Sequence, residues 1–147
     1  MQTKPLTPEQ QGWLRINSCL PAAIIAGLII VLAGIFLFLL IALPDNFFVK
    51  ILTSISGLII FFVLVASGIH TYNNYMDLRD GTTQVRVGRL MGKRETGRSP
   101  KTFYAEFENA GSVIVMGDVY EKLEVNKTYK VTYSPRTRRG WEVEEQA

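Results

Sequence analysis

The chain has 147 residues, with 16 basic against 13 acidic side chains and a net charge of +3 at pH 7. Its one cysteine excludes a disulfide within the chain, and Cys19 and His70 lie too far apart in sequence to form a metal-binding pattern. No third group is placed to orient a Cys–His pair, and no glycine-rich phosphate loop is present. We therefore expect neither a metal nor a cofactor, and we expect the protein not to be an enzyme.

The N-terminal tail, residues 1–19, contains a helix start signal. Thr7 is typical of an N-cap, Pro8 of the first helical position and Glu9 of an acidic first turn. The pattern predicts a short interfacial helix over about 8–18, after which the chain turns near Pro21. Its apolar side would face lipid with Trp13, Leu14 and Ile16. We interpret Cys19 as a small apolar residue, with acylation as the alternative.

Two uncharged apolar runs follow, from Leu20 to Leu43 and from Ile51 to Ile69. At about 1.5 Å per residue the first would form a helix roughly 36 Å long, enough to cross a hydrocarbon core of about 30 Å. Neither run has the polar face of a helix at a soluble protein's surface, and too little chain remains to bury both. The sequence predicts a transmembrane hairpin over 20–79, with spans at about 20–43 and 48–72 joined by Pro44-Asp45-Asn46, and a helical extension ending at Asp80-Gly81.

Lysine and arginine residues near the spans predict the orientation of the hairpin. The link side has Lys50, whereas the outer ends have Lys4, Arg15, Arg79, Arg86 and Arg89. This distribution predicts that both termini and the C-terminal domain are cytoplasmic. In that orientation Asn126-Lys127-Thr128 is a turn and not a glycosylation site.

Small residues recur along both spans and are candidates for helix packing, since close approach of backbones drives association in lipid. The candidates are Ala22, Ala23, Ala26, Gly27, Gly34, Thr53 and Gly57. We expect them to line the contact between the two spans. The alternative is a contact with another membrane subunit.

Residues 80–147 alternate apolar and polar side chains with the period of β-strands. We expect five antiparallel strands in a small closed or nearly closed barrel of SH3-like or OB-like type, which makes the whole chain an α+β membrane protein. Gly88 would form a bulge, and Asp118 with Glu121 would cap a helical turn before the fourth strand. The predicted core consists of Val85, Val87, Leu90, Phe103, Ala105, Phe107, Val113, Val115, Leu123, Tyr129, Val131, Tyr133, Trp141 and Val143.

Basic residues cluster in two stretches of this domain, and Glu95 is the one acid in the first of them. We interpret them either as solvated hairpin tips or as a surface for lipid head groups, an acidic protein or, less favoured, nucleic acid, because nucleic-acid sites usually interleave aromatics. The candidates are Arg86, Arg89, Lys93, Arg94, Arg98, Lys101, Arg136, Arg138 and Arg139.

The functional hypothesis is a non-catalytic, membrane-anchored interaction or assembly module, an accessory subunit of a larger membrane complex. Its partners would be lipid and other membrane subunits or further copies of itself. The alternative is a membrane-tethered receptor for an anionic ligand, a lipid head group or nucleic acid. In layout the chain resembles bacterial membrane proteins that carry a small β-barrel after a helical anchor, of which the NfeD-like proteins are one example. This resemblance is one of architecture and implies no function.

Overall fold

The structure is a computed structural model that describes residues 2–43, 47–97 and 99–146. The predicted link at 44–46 and the candidate Arg98 lie outside the described residues. The fold is α+β, as predicted, with two long helices and one antiparallel sheet. The chain forms two compact units: one joins the residues up to Leu14 to those from Met76 onward, and the other is Arg15–Tyr75.

Helix α1 spans Pro8–Ala42 and helix α2 spans Phe47–Asp80. The predicted short helix at 8–18 is not a separate element, because α1 continues through it with Pro21 inside. The start of α1 is capped as predicted: the Gln10 amide nitrogen donates to the Thr7 hydroxyl, and the Thr7 amide donates to the Gln10 side chain. Gly81, with φ of +65°, follows the last residue of α2, as the sequence predicts.

Both helices are long and apolar enough to cross a membrane by length and composition. No residue is buried within the most apolar 18-residue window of α1, and only 6% of that window in α2 is buried. Large side chains such as Ile41 (73% exposed) and Phe47 (76% exposed) therefore lie on the surface of this unit.

The other unit contains a six-stranded antiparallel sheet and a short helix. The strands are β1 Gln2–Pro5, β2 Thr82–Thr96, β3 Thr102–Phe107, β4 Gly111–Val115, β5 Thr128–Tyr133 and β6 Gly140–Glu145, and helix α3 is Gly117–Lys122. The order is β4-β3-β2-β5-β6, with β1 also paired to β2. The 15-residue β2 organises this sheet, since it pairs with β1, β3 and β5.

The prediction of a closed or nearly closed five-stranded barrel of SH3-like or OB-like type is wrong, because the sheet is open and has a sixth strand. Closure would need a ladder between β4 and β6, but among the residues that the structure describes there is a single parallel bridge here, from Ile114 of β4 to Arg139, the residue before β6. The additional strand, β1, has no counterpart in the sequence prediction. It pairs antiparallel with the start of β2, from Gln2 opposite Val85 to Pro5 opposite Thr82.

The core lies where the sequence pattern puts it, with local exceptions. Phe103 and Val143 are partly buried and pack against a cluster of buried residues. The cluster consists of Leu90, Ala105, Phe107, Ala110, Val113, Val115, Leu123, Tyr129, Val131 and Tyr133. Val87 is 47% exposed, so its assignment to the core is wrong.

The register shift in β2 lies between Leu90 and Gly92, and not at Gly88. Helix α3 exists, but its N-cap is Met116 and makes no side-chain capping bond, in place of the predicted Asp118 cap.

Candidate functional site

The predicted basic residues do not form one surface, because several are used by the fold itself. The Lys93 ammonium donates to the Leu123 carbonyl at 2.9 Å. Lys101 pairs with Glu95 at 3.2 Å, and Arg136 pairs with Asp80 at 3.3 Å. Arg89 and Arg94 are exposed, and the Arg94 guanidinium lies 5.2 Å from the centre of the Tyr104 ring.

Two arginines from distant parts of the sequence meet at the turn between β3 and β4. Arg86 donates to the Asn109 carbonyl at 2.7 Å. The Arg138 guanidinium lies over the Tyr133 ring, and a Cβ at Gly111 would be 3.2 Å from its terminal nitrogen. Both arginines line one polar cleft of about 590 Å³. Contact of any of these residues with an anionic surface stays a prediction.

The two long helices face each other through large apolar side chains of α1 and a mixture of small polar and apolar side chains of α2. Half-buried residues in the middle of each helix recur at spacings of three, four or seven, the pattern of a coiled-coil seam. They are Ile25, Ile29, Leu32, Phe36 and Leu39 on α1 and Thr53, Ser56, Ile60, Ser67 and Thr71 on α2. Two cavities of about 170 and 180 Å³ lie along this seam. Of the predicted packing residues, Thr53 lies in the seam, and Ala22 and Ala26 line the first cavity.

The remaining candidates for helix packing have open surroundings on their own helix. A Cβ added at Gly27, Gly34 or Gly57 would meet no atom of the described residues within 4 Å, and Ala23 is exposed. At 3.6 residues per turn, Gly27 and Gly34 lie on the side of α1 opposite to the seam. Gly27 and Gly34 are therefore placed away from the contact between the two long helices, and a role of Ala23 and Gly57 in that contact stays a prediction. Packing against a separate helix stays a prediction.

The two residues considered for nucleophilic chemistry have ordinary surroundings. Cys19 is exposed, and its sulfur lies 3.7 Å from the Ser18 hydroxyl. The His70 ring contacts the side-chain nitrogen of Asn74 at 3.2 Å. Within the described ranges, no group of three His, Cys, Asp or Glu side chains could hold a metal ion.

A buried carboxylate fixes the loop between β5 and β6. Asp77, in the last turn of α2, is 1% exposed. It accepts hydrogen bonds from the amides of Arg136 and Thr137 and from the Thr137 hydroxyl. The same loop is held at its start by Ser134, whose hydroxyl accepts a bond from the Trp141 indole at 2.9 Å. These bonds position Arg139 and Trp141 at the start of β6.

Arg139 and Trp141 form a cleft together with the first turns of α1. The Arg139 guanidinium lies 3.8 Å from the centre of the Trp13 ring and 5.3 Å from the centre of the Trp141 ring. The two indoles meet edge to face at 5.6 Å. We call the space beside them the tryptophan cleft. It has a volume of about 520 Å³ and is lined by Thr7, Pro8, Glu9, Gln10, Trp13, Met116, Arg139, Trp141 and Glu142.

The charge in the tryptophan cleft is partly desolvated and lacks a counter-ion. Among the described residues Arg139 makes no ion pair, and its Nε is buried without a hydrogen-bond partner. Burial lowers the pKa of the Arg139 guanidinium below its ordinary value. The carboxylates of Glu9 and Glu142 line the same cleft without pairing with Arg139. The cleft therefore contains one cation and two anions at separate positions.

The sequence pattern does not predict this cleft. It places Trp13 toward lipid and Trp141 in a barrel core, whereas both are half-buried beside Arg139. One usable signal is the spacing of Arg139 and Trp141, since residues two apart on a strand share a face. The approach of Trp13 depends on the N-terminal segment joining the sheet, which has no local signal in the sequence.

Comparison of the chain with protein-family models, with curated proteins and with solved structures finds no match.

Proposed function

We propose that the protein is a non-catalytic membrane-anchored interaction or assembly module, an accessory subunit of a larger membrane complex. Helices α1 and α2 cross the membrane as a hairpin, and the six-stranded domain lies with both termini in the cytoplasm. The support for the anchor is the exposure of apolar side chains around both helices outside the seam. Exposure of these apolar side chains to water costs free energy, whereas their contact with lipid chains does not.

The observation that carries the assembly role is the open face of α1. Gly27 and Gly34 are seven residues apart and point away from α2, and a Cβ added at either would meet no described atom within 4 Å. Small residues on an exposed side of a transmembrane helix permit close approach of another helix, where van der Waals contact provides the attraction. The occupant of this face is a helix of a partner subunit or of a second copy.

The experiment is purification of the full chain from its native membrane in a mild detergent, followed by mass determination. We expect an assembly larger than the monomer. Gly27→Leu and Gly34→Leu should each reduce it, because added bulk blocks close approach of the helices. Ala33→Leu adds similar bulk to a different side of α1 and is the matched control. A monomer in the unsubstituted protein, or equal effects of all three variants, would refute the proposal.

A second candidate function, reception of an anionic ligand or lipid head group, is favoured by the convergence of Arg86 and Arg138 on one cleft. We expect Arg138→Gln to weaken binding to vesicles that contain anionic lipid, more strongly at low salt, where screening is weak. Lys130→Gln, on the neighbouring strand β5, is the control, since Lys130 is already paired with Glu144 at 3.2 Å. Equal binding by both variants and the unsubstituted protein would exclude this function.

A further inference from the structure

The tryptophan cleft has a guanidinium that the fold leaves without a counter-ion among the described residues. The Arg139 guanidinium lies 3.8 Å from the centre of the Trp13 ring and 5.3 Å from the centre of the Trp141 ring, beside the contact between the two indoles. A partly buried cation costs free energy of desolvation, which an aromatic face recovers only in part. An oxoanion placed against the guanidinium fork would recover the rest through charge-assisted hydrogen bonds. The first requirement of a ligand is therefore an anionic group with two or more oxygens.

The second requirement comes from the two carboxylates of the cleft. Glu9 and Glu142 would repel a simple anion that approached Arg139. A cationic group attached to that anion would convert the repulsion into attraction. Glu142 already lies 3.9 Å from the Lys4 ammonium, which leaves Glu9 as the principal acceptor for a ligand cation. The charges of the cleft thus match a zwitterion better than an anion or a cation alone.

The size and lining of the cleft fit a small ligand. Its volume of about 520 Å³ lies within the range of about 300–1,000 Å³ that is typical of small-molecule sites. The indole faces and the exposed Met116 side chain provide apolar contact for carbon atoms that link the two charges.

We propose that the tryptophan cleft binds a phosphoethanolamine group, with its phosphate on Arg139 and its ammonium at Glu9. The group can belong to a phospholipid head or to a free phosphodiester such as glycerophosphoethanolamine. This inference is independent of the assembly role, since it concerns residues of the sheet-containing unit and no residue of the open face of α1.

The chain provides its own reporter for the test. Its two tryptophans, Trp13 and Trp141, both line the cleft, so in the folded protein indole fluorescence reports on the surroundings of this cleft. The full chain in a maltoside detergent is titrated separately with glycerophosphoethanolamine, inorganic phosphate and ethanolamine. We expect a saturable change in emission with the zwitterion at the lowest concentration, and at least about tenfold weaker responses to the other two, because each satisfies one side of the cleft. Vesicles with and without phosphatidylethanolamine then distinguish the lipid source from the free one.

Variants of Arg139 and Glu9 test which charged group of the ligand each residue binds. Arg139→Gln should weaken zwitterion binding by about tenfold or more, and Glu9→Gln should weaken it while leaving the response to inorganic phosphate unchanged or stronger. Arg89→Gln, an exposed position outside the cleft, should bind as the unsubstituted protein does. Because Arg139→Gln also changes the indole environment, binding is measured in parallel by broadening of the ligand's phosphorus resonance.

The proposal is overturned if the zwitterion gives no saturable response. It is also overturned if Arg139→Gln binds as tightly as the unsubstituted protein by the phosphorus resonance, or if inorganic phosphate binds as tightly as the zwitterion. A larger mass with no zwitterion binding would remove this inference and leave the assembly role standing. Zwitterion binding by a protein that is monomeric would leave this inference standing and remove the assembly role.

Discussion

The carboxylate of Asp77 accepts two hydrogen bonds from Thr137, one from the backbone amide and one from the hydroxyl, each 2.8 Å long. The two residues are 60 positions apart in the chain. Through these bonds the end of α2 holds the loop that leads into β6, and that loop positions Arg139 and Trp141.

The first prediction concerns this carboxylate. Asp77→Ala should lower the free energy of unfolding of the sheet-containing unit by about 3 kcal/mol, since it leaves partly buried amides without acceptors and hydrogen bonds to a charged group are the stronger kind. Denaturant titration followed by indole fluorescence measures it. Asp80→Ala is the control in the same helical turn: its pair with Arg136 is exposed, so we expect a loss below about 1 kcal/mol. Equal losses for both variants would show that Asp77 does not fix the loop.

A second prediction tests the close approach of β4 and β6. A Cβ at Gly140 would lie 3.0 Å from a methyl carbon of Val113 and 3.2 Å from the Ile114 carbonyl oxygen. Gly140→Ala should therefore destabilise the domain by about 1–3 kcal/mol through overpacking. Gly92→Ala, whose added carbon would come no nearer than 3.7 Å to the Glu106 side chain, should change stability by less. Thermal unfolding monitored by near-ultraviolet circular dichroism compares the two, and a larger effect at Gly92 would contradict the packing described here.

A third prediction separates the seam of the hairpin from its outer surface. Leu32→Ala removes a half-buried side chain that lines the second cavity of the seam, whereas Leu37→Ala removes one that is 61% exposed and lines neither cavity. Packing provides much of the attraction between helices in lipid, so the seam variant should lower the resistance of the hairpin to sodium dodecyl sulfate by about 1 kcal/mol and the outer variant by less. Equal sensitivity of the two variants would show that α1 does not face α2 through Leu32.

The fourth prediction concerns topology. Lys4, Arg15 and Arg79 flank the outer ends of the hairpin, against Lys50 on the link side. A reporter enzyme that is active only in the cytoplasm should be active when fused after Ala147. A reporter that is active only outside the cytoplasm serves as the control at the same position, and its activity would reverse the orientation. Asn126 would then lie where glycosylation is possible. In the structure it occupies a turn with φ of +73°.

Local sequence signals determined the elements of this protein. The uncharged runs predicted two long helices, Thr7 with the residues after it predicted where α1 begins, and Gly81 predicted where α2 ends. Alternation predicted β2, β3, β4, β5 and β6 and most of the core. These features depend on interactions between residues a few positions apart, and such interactions can be read from spacing alone.

Only the tertiary structure decided which distant segments pair. Gln2–Pro5 joins β2 across about 80 residues of sequence, and its short polar run has no pattern that marks a strand. That pairing belongs to the same unit as Trp13, Arg139 and Trp141, so the cleft could not be foreseen without it. Contacts between distant segments also decide that the sheet stays open. Strand periodicity specifies which side of a strand is buried, but closure depends on whether the edges β4 and β6 come into register, and that depends on the twist and bulge of the long β2.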